Sequence, residues 1–263
     1  MEYNEVVSRE TFNYIRGKFG GHAPEFELEY KSELIDDIRE LKEPRNAVVL
    51  GHNYMEQVLF DTIPDFRGDS LELSRRAAET DKAVIVFCGV RFMAETAKIL
   101  NPDKTVLIPS LEAGCSLAAS ITAKDVRNLR ELFPNVPVVT YVNTYADVKA
   151  ESDVCCTSSN ARKVVEWALS KFDTDKVIFL PDEYLASNVA KEIGMRVIFP
   201  VTSGTMGKDP NLSYQMVGWH GRCEVHEKFT PKDVIDLRKD FTGVNIMAHP
   251  ECPPEDVKKV HFA

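Results

Sequence analysis

The chain has 263 residues, of which 44% are hydrophobic, a composition that supports a sizeable buried core and excludes a largely disordered chain. Its 41 acidic and 32 basic side chains give a formal charge of −9, which argues against nucleic-acid backbone binding as the main function. The charged N-terminus and the lack of an apolar run near the roughly 20 residues of a membrane span predict a cytoplasmic protein without a signal peptide or membrane anchor.

Short β-branched segments alternate with longer amphipathic patterns along the chain. The predicted strands cover 46–51, 82–88, 104–109, 136–142, 176–181, 195–200 and 244–249. The predicted helices cover 70–80, 92–100, 123–133, 159–172 and 183–194. This alternation is typical of α/β architecture with parallel sheets covered on both faces. A stretch rich in Gly, Pro and Ser, 201–222, breaks the pattern and is predicted to be a long loop or insertion.

Polar side chains follow several of the predicted strands, where open α/β sheets bind their ligands. The pairs are His52 with Tyr54, Tyr141 with Asn143, and His249 with Glu251. A histidine near a carboxylate suits proton transfer, whereas a solvated surface position is the ordinary alternative for each pair. The hydroxyl cluster at 157–160 opens a helix, so it either caps that helix or offers donors to an anion.

The cysteines indicate a reducing compartment, because the chain carries six of them and no secretion signal. Their spacing contains no CxxC signature of a zinc ribbon or a thioredoxin motif. Cys115 and Cys223 each follow a glycine closely, where the backbone leaves room for a bulky inorganic group, and a buried apolar thiol is the alternative for both. Packing is the expectation for Cys88 and for the adjacent pair Cys155 and Cys156.

Seven stretches of the chain form an ordered set of motifs. They are GHNY (51–54), DFRGDSLELSRRAAET (65–80), VFCGVRFMAETAKILNPDKTVLIP (86–109), LEAGCSLAASI (111–121), TYVNTYADVKAESDVCCTSSNA (140–161), GWHGRCEVHEKF (218–229) and MAHPEC (247–252). Taken together in this order, they resemble quinolinate synthase, the iron–sulfur enzyme that makes the pyridine ring of NAD.

The resemblance implies a fold of three similar three-layer α/β/α domains around a pseudo-threefold axis. On this chain, the implied domains are 1–115 with an N-terminal helical segment, 116–223, and the start of a third, incomplete domain at 224–263. It also implies a [4Fe–4S] cluster held by three thiolates, with one iron open as a Lewis acid. The implied reaction condenses iminoaspartate with dihydroxyacetone phosphate to quinolinate, phosphate and water. L-aspartate oxidase or aspartate dehydrogenase would supply the iminoaspartate, and no membrane or nucleic-acid partner is expected.

The resemblance also assigns roles residue by residue. Cys115 and Cys223 match two cluster ligands. Tyr54, His249 and Glu251 match catalytic positions, and the histidine and glutamate suit proton shuttling. The implied substrate contacts are His52, Ser70, Tyr141, Val142, Asn143, Ser158, His249, Pro250 and Glu251.

The chain departs from the family pattern at its end. The family's third cluster cysteine lies beyond the His-Pro-Glu segment, and the sequence stops before it; Cys252 matches a cysteine that is not a ligand in the family. We expect a fragment of a longer protein, and the alternative is a shortened relative that binds small dicarboxylates without catalysis. A zinc hydrolase is a third class, but its histidine-rich spacing is absent. The insertion at about 201–217 precedes Cys223 and could move it.

Overall fold

The computed structural model of the chain describes residues 2–200, 213–254 and 261–262. The chain separates into two compact units, Met1–Ala113 and Gly114–Ala263. Within the described part, no helix has both the length and the apolar character needed to cross a bilayer. The predicted domain boundaries at 115 and 223 stay predictions.

The first unit contains a parallel sheet with the strand order β2-β1-β3-β4. Its strands are β1 (Ala47–His52), β2 (Phe66–Gly68), β3 (Val84–Cys88) and β4 (Thr105–Leu107). Its helices are α1 (Glu2–Phe19), α2 (Glu25–Lys42), α3 (Gln57–Thr62), α4 (Ser70–Glu79) and α5 (Arg91–Leu100). Every residue of β1 is buried, as its unbroken apolar run predicts for a strand inside a parallel sheet.

The second unit contains a parallel sheet with the strand order β6-β5-β7-β9-β8. Its strands are β5 (Val138–Tyr141), β6 (Val154–Cys156), β7 (Val177–Leu180), β8 (Val197–Ile198) and β9 (Met216–Val217), and a separate pair joins β10 (Met247–Ala248) to β11 (His261–Phe262). Its helices are α6 (Ser116–Ala119), α7 (Ala123–Leu132), α8 (Ala146–Ala150), α9 (Ala161–Lys171), α10 (Glu183–Glu192) and α11 (Pro231–Asp240), with short 3-10 helices at Ser158–Asn160 and His226–Lys228.

Helices cover both faces of the β5 and β7 region, which gives this unit three layers. Val139 and Phe179 point to one face and pack in a core that includes residues of α9 and α10. Val138 and Ile178 point to the other face and pack with Val126 of α7. Because neighbouring residues of a strand point to opposite faces, each short apolar strand contributes to two cores.

The structure confirms the α/β class and the parallel sheets. Each predicted strand and helix has a counterpart, and β2, β6, β9 and β11 were not predicted. The prediction of an unbroken loop over 201–222 is wrong at its C-terminal part, because Met216 and Val217 form β9 between β7 and β8. Residues 201–212 of that stretch lie outside the described residues. The three-domain arrangement and the incomplete third domain stay predictions.

Candidate functional site

Three of the predicted site residues come together in the first unit, at the C-terminal end of β1. His52 ends the strand, and its ring lies 3.9 Å from the ring of Tyr54, measured between centroids. Ser70 is the first residue of α4, where its Oγ lies 3.5 Å from His52 Nε2. Asp69 places this serine by capping α4, since its carboxylate accepts from the N–H groups of the next turn. The Tyr54 side chain is 56% exposed, so the group opens to solvent on that side.

His52 is held in its neutral form. Burial lowers the pKa of its imidazole from 6.5 to about 4, and the nearby Asp69 carboxylate offsets this only in part. Its Nδ1 is buried and has no hydrogen-bond partner among the described residues. A neutral imidazole with one unused nitrogen can accept or donate a hydrogen bond to a ligand without adding charge.

A second group of predicted residues forms a hydrogen-bonded series in the second unit. Tyr141 ends β5, its side chain is buried, and its phenol hydrogen-bonds Ser158. Ser158 Oγ lies 3.0 Å from His249 Nε2, across 91 positions of sequence. Burial raises the pKa of Tyr141 well above its ordinary value, so its phenol keeps its proton. The hydroxyl cluster at 157–160 therefore has two roles. Thr157 and Asn160 form a capping box, and Ser158 contacts His249.

Glu251 lies between two histidines. Its Oε2 is 3.2 Å from His249 Nδ1 and 3.3 Å from His226 Nδ1. The two imidazoles stack, with centroids 4.8 Å apart and an interplanar angle of 11°. The Glu251 N–H also donates to His249 Nδ1 at 3.3 Å, a contact that favours the tautomer with the proton on Nε2. Glu251 itself is only 2% exposed, so this carboxylate is positioned inside the protein.

The His-Pro-Glu segment is anchored to α10. The side-chain amide of Asn188 donates to the carbonyl oxygens of Pro250, at 2.8 Å, and of Cys252, at 3.3 Å. Asp182 caps the same helix by accepting the Leu185 N–H at 2.6 Å. Burial and the charge of Glu251 raise the pKa of Asp182 from 3.8 to about 8, which shows that two carboxyl groups share a poorly solvated region.

Val142 and Asn143 continue directly from β5. The Val142 N–H donates to the Cys156 carbonyl at 2.8 Å, and its side chain packs partly against the core. Asn143 is half-buried in the bend before α8. The bend is fixed by Thr144, whose hydroxyl donates to the Tyr141 carbonyl at 3.1 Å.

Cys115 and Cys223, the two predicted cluster ligands, have similar surroundings in the second unit. Burial raises the pKa of the Cys115 thiol, and the backbone N–H groups of Ala118 and Leu117 partly offset it. Burial likewise raises the pKa of the Cys223 thiol, offset by the N–H groups of His226 and Val225, while Glu251 and Cys115 raise it further. Both thiols pack against the same core.

The remaining cysteines behave differently. All six cysteines are reduced, and Cys155 is exposed. Burial raises the pKa of Cys88 to about 11, and it raises the pKa of Cys156 even further. Neither thiol has the backbone N–H groups that favour the thiolate at Cys115 and Cys223. The packing role expected for Cys88 and Cys156 fits these surroundings, whereas the packing role expected for Cys155 is wrong, because Cys155 is exposed.

A cavity of about 220 Å³ lies beside the Tyr141–Ser158–His249 series. Ser158 and Pro250 line it, together with the basic side chains of Arg162 and Lys163 from the first turn of α9. Arg162 Nε pairs with Glu166 Oε1 at 3.0 Å, and Glu192 also lines the cavity. Lys163 and the helix N-terminus are therefore the features that favour an anionic ligand.

His226 and Asp182 were not singled out from the sequence. His226 stands three positions after Cys223, and this Cys-x-x-His spacing is the signal that could have identified it. Its contact with Glu251 joins residues 25 positions apart, which no local pattern reveals.

The motif order and this geometry agree with the comparisons to known proteins. The sequence model of the family described as "NadA: Quinolinate synthetase A protein" matches residues 36–263. The chain belongs to the quinolinate synthetase A family. The chain is 48% identical over 242 residues to the quinolinate synthase of Caulobacter vibrioides (strain NA1000 / CB15N), covering 92% of this chain and 61% of that protein.

Two further relatives support this membership. A quinolinate synthase of Xylella fastidiosa (strain 9a5c) is 52% identical over 229 residues, which cover 87% of this chain and 61% of that protein. One of Sinorhizobium medicae (strain WSM419) is 44% identical over 263 residues, which cover 100% of this chain and 67% of that protein. The chain thus spans about 61% of the length of the first two relatives in the quinolinate synthetase A family.

Proposed function

We propose that this chain is the larger part of a quinolinate synthase of NAD biosynthesis, which acts in the cytoplasm. It would condense iminoaspartate with dihydroxyacetone phosphate to quinolinate, phosphate and water. The observation that carries the proposal is that two thiols, Cys115 and Cys223, pack against the same core in a chain of the quinolinate synthetase A family. An L-aspartate oxidase or aspartate dehydrogenase would be the source of iminoaspartate.

The donor set fits an iron–sulfur cluster. Thiolates are the ligands of such clusters, and backbone N–H groups that face sulfur are among the features that tune them. Cys115 and Cys223 both have these N–H groups, and they would supply two of the three thiolates. When bound, the cluster supplies a Lewis acid to the substrate through its open iron.

Substrate binding would rest on neutral donors and on local positive charge. Ser158 and Asn143 offer a hydroxyl and an amide near the end of β5, and Lys163 adds a positive charge to the adjacent cavity. His52 and Ser70 of the first unit offer a neutral imidazole and a hydroxyl. Donors of this kind bind a dicarboxylate or a phosphate ester without a large net positive charge.

His249 is the residue best placed to move a proton. Its Nδ1 lies 3.2 Å from Glu251 Oε2, a distance that allows a proton to pass between the imidazole and this carboxyl group. Its Nε2 can release a proton toward Ser158 Oγ, 3.0 Å away, and Ser158 hydrogen-bonds the Tyr141 phenol. The series therefore links a buried carboxylate to a protonated phenol through one imidazole. Tyr54, whose ring lies 3.9 Å from the His52 ring, is the proposed catalytic group of the first unit.

Anaerobic iron–sulfur reconstitution tests the ligand assignment. We expect the protein from the complete reading frame to bind iron and sulfide and to develop a brown colour. Cys115→Ser and Cys223→Ser should each lower the iron content. The matched control is Cys155→Ser, because Cys155 is exposed. Equal iron content in all three variants would contradict the assignment.

Calorimetry separates catalysis from the alternative of a dicarboxylate-binding relative. The proposal expects dicarboxylate affinity to increase when the cluster is present. Binding that is equally tight in the metal-free and reconstituted protein, together with no quinolinate formation, would favour the non-catalytic alternative.

A further inference from the structure

Cys223, His226 and Glu251 form a second candidate metal site within the second unit. Each residue offers one ligand atom, and these atoms all lie within 4.8 Å of one another. The first two residues are brought together by a turn, in which the Glu227 N–H donates to the Cys223 carbonyl at 3.1 Å. Glu251 arrives from the segment after β10, which Asn188 anchors to α10. The three donors therefore come from two independently fixed segments.

Two buried atoms of this group lack hydrogen-bond partners among the described residues. They are Glu251 Oε1 and His226 Nδ1. His226 Nδ1 lies 3.3 Å from Glu251 Oε2, but the contact does not have the alignment of a hydrogen bond. A buried carboxylate oxygen and a buried ring nitrogen without partners are costly, and one bound cation would satisfy both.

The donor types select the kind of cation. A thiolate, an imidazole and a carboxylate together suit zinc and similar divalent transition metals, whereas calcium and magnesium prefer oxygen ligands. Zinc bond lengths of about 2.0–2.3 Å place tetrahedral ligand atoms roughly 3.3–3.6 Å apart. The separation of 3.3 Å between His226 Nδ1 and Glu251 Oε2 already meets this, and the Cys223 thiol lies within 4.8 Å of the other two ligand atoms.

His249 acts as an outer partner of the same group. Its Nδ1 lies 3.2 Å from the Glu251 carboxylate, and its ring stacks on His226. Its other nitrogen is engaged by Ser158 at 3.0 Å. Metal ligands in proteins are commonly oriented by such a second layer of hydrogen bonds, and His249 with Ser158 provides one for Glu251.

We propose that Cys223, His226 and Glu251 bind a single divalent transition-metal ion of the zinc class when the chain carries no iron–sulfur cluster. This site goes beyond the proposed function, because it uses one of the two thiols assigned to the cluster and does not use Cys115. Three protein ligands leave a fourth position for solvent. The zinc-class ion and the iron–sulfur cluster would both require Cys223, so one chain cannot hold both at the same time.

Cobalt(II) titration of the metal-free 263-residue chain tests the proposal, because cobalt replaces zinc and reports its ligands by absorption. We expect one Co²⁺ per chain, d–d bands of a low-coordinate site and a thiolate-to-cobalt charge-transfer band. Zn²⁺ should displace the cobalt. Cys223→Ser should abolish the charge-transfer band, and His226→Ala and Glu251→Gln should each weaken binding at least about 100-fold.

The matched controls are Cys115→Ser and Cys155→Ser, which should keep the cobalt spectrum and affinity. His249→Gln should weaken binding roughly 10- to 100-fold, as expected for an outer partner, and keep the charge-transfer band. Circular dichroism of each variant shows whether it has folded, and the conservative change Glu251→Gln keeps the shape of the side chain.

The proposal is overturned if Cys115→Ser abolishes cobalt binding, or if Cys223→Ser leaves the charge-transfer band intact. A negative cobalt result would not contradict the cluster assignment, because cluster assembly is measured separately by the iron and sulfide content of the reconstituted protein. The two proposals can therefore fail independently.

Discussion

Gly221 controls how closely the segment of Cys223 approaches the helix that begins after Cys115. A Cβ atom at Gly221 would lie 2.5 Å from the Pro181 carbonyl oxygen and 3.2 Å from Leu117 Cδ1, and it would also meet the Ser120 hydroxyl. The backbone has little freedom to retreat, because the Gly221 N–H donates to the Pro181 carbonyl at 3.1 Å. Gly221→Ala therefore forces the Cys223 segment away from α6.

We expect Gly221→Ala to lower the free energy of unfolding by about 1–3 kcal/mol, the usual cost of an overpacked core. It should also lower the iron bound per chain after reconstitution, since it separates two assigned ligands. Urea unfolding measures the first effect, and iron analysis measures the second. The matched control is Gly17→Ala, in an exposed part of α1 with no heavy atom within 4 Å of the added methyl group.

The control should raise the free energy of unfolding by about 0.5–1 kcal/mol, because alanine is the better helix former, and it should leave iron binding unchanged. If Gly221→Ala unfolds at the same urea concentration as the wild type and binds as much iron, the packing argument is refuted.

Three further predictions concern pH and packing. The free energy of unfolding of the wild type should fall as the pH falls from 6.5 to about 4, because only the unfolded chain protonates His52 in that range. His52→Gln should remove up to roughly 3 kcal/mol of this loss, measured by urea unfolding at both pH values. Asp182→Asn should become more stable relative to the wild type as the pH rises from 3.8 to about 8, because in that range the Asp182 carboxyl ionises freely only in the unfolded wild type. Thermal melts of both proteins across this range measure the effect, and a melting-temperature difference that does not change with pH would contradict it. Leu117→Ala, which truncates a fully buried side chain in the first turn after Cys115, should lower the free energy of unfolding by about 2–5 kcal/mol in the same urea assay.

Local sequence patterns were enough to predict the elements with a strong periodic signal. The helix predicted at 123–133 forms at Ala123–Leu132, with the Thr122–Asp125 capping box at its start. Such a helix depends on its own residues and on one apolar face. The unpredicted strand β9 has only two residues inside a stretch rich in Gly and Pro, and it is extended because it pairs with β7 and β8. Strand formation of this kind depends on distant partners.

In the candidate site, too, local motifs could be recognised from the sequence, whereas contacts between distant residues could not. The family motifs pointed to Ser158, His249 and Glu251, and the structure brings these side chains into contact. His226 was missed because its partner is distant in the sequence and its imidazole is positioned by stacking on His249. The pKa of Asp182 could not be predicted either, since it results from burial and from Glu251, 69 positions later.

The most direct test of the central claim is quinolinate formation by the protein from the complete reading frame. Iminoaspartate and dihydroxyacetone phosphate are supplied to the anaerobically reconstituted enzyme, and quinolinate is quantified by chromatography. We expect quinolinate from the wild type and from Cys155→Ser, and almost none from Cys115→Ser or Cys223→Ser. Absence of quinolinate from the iron-loaded wild type, or full activity in Cys115→Ser, would contradict it.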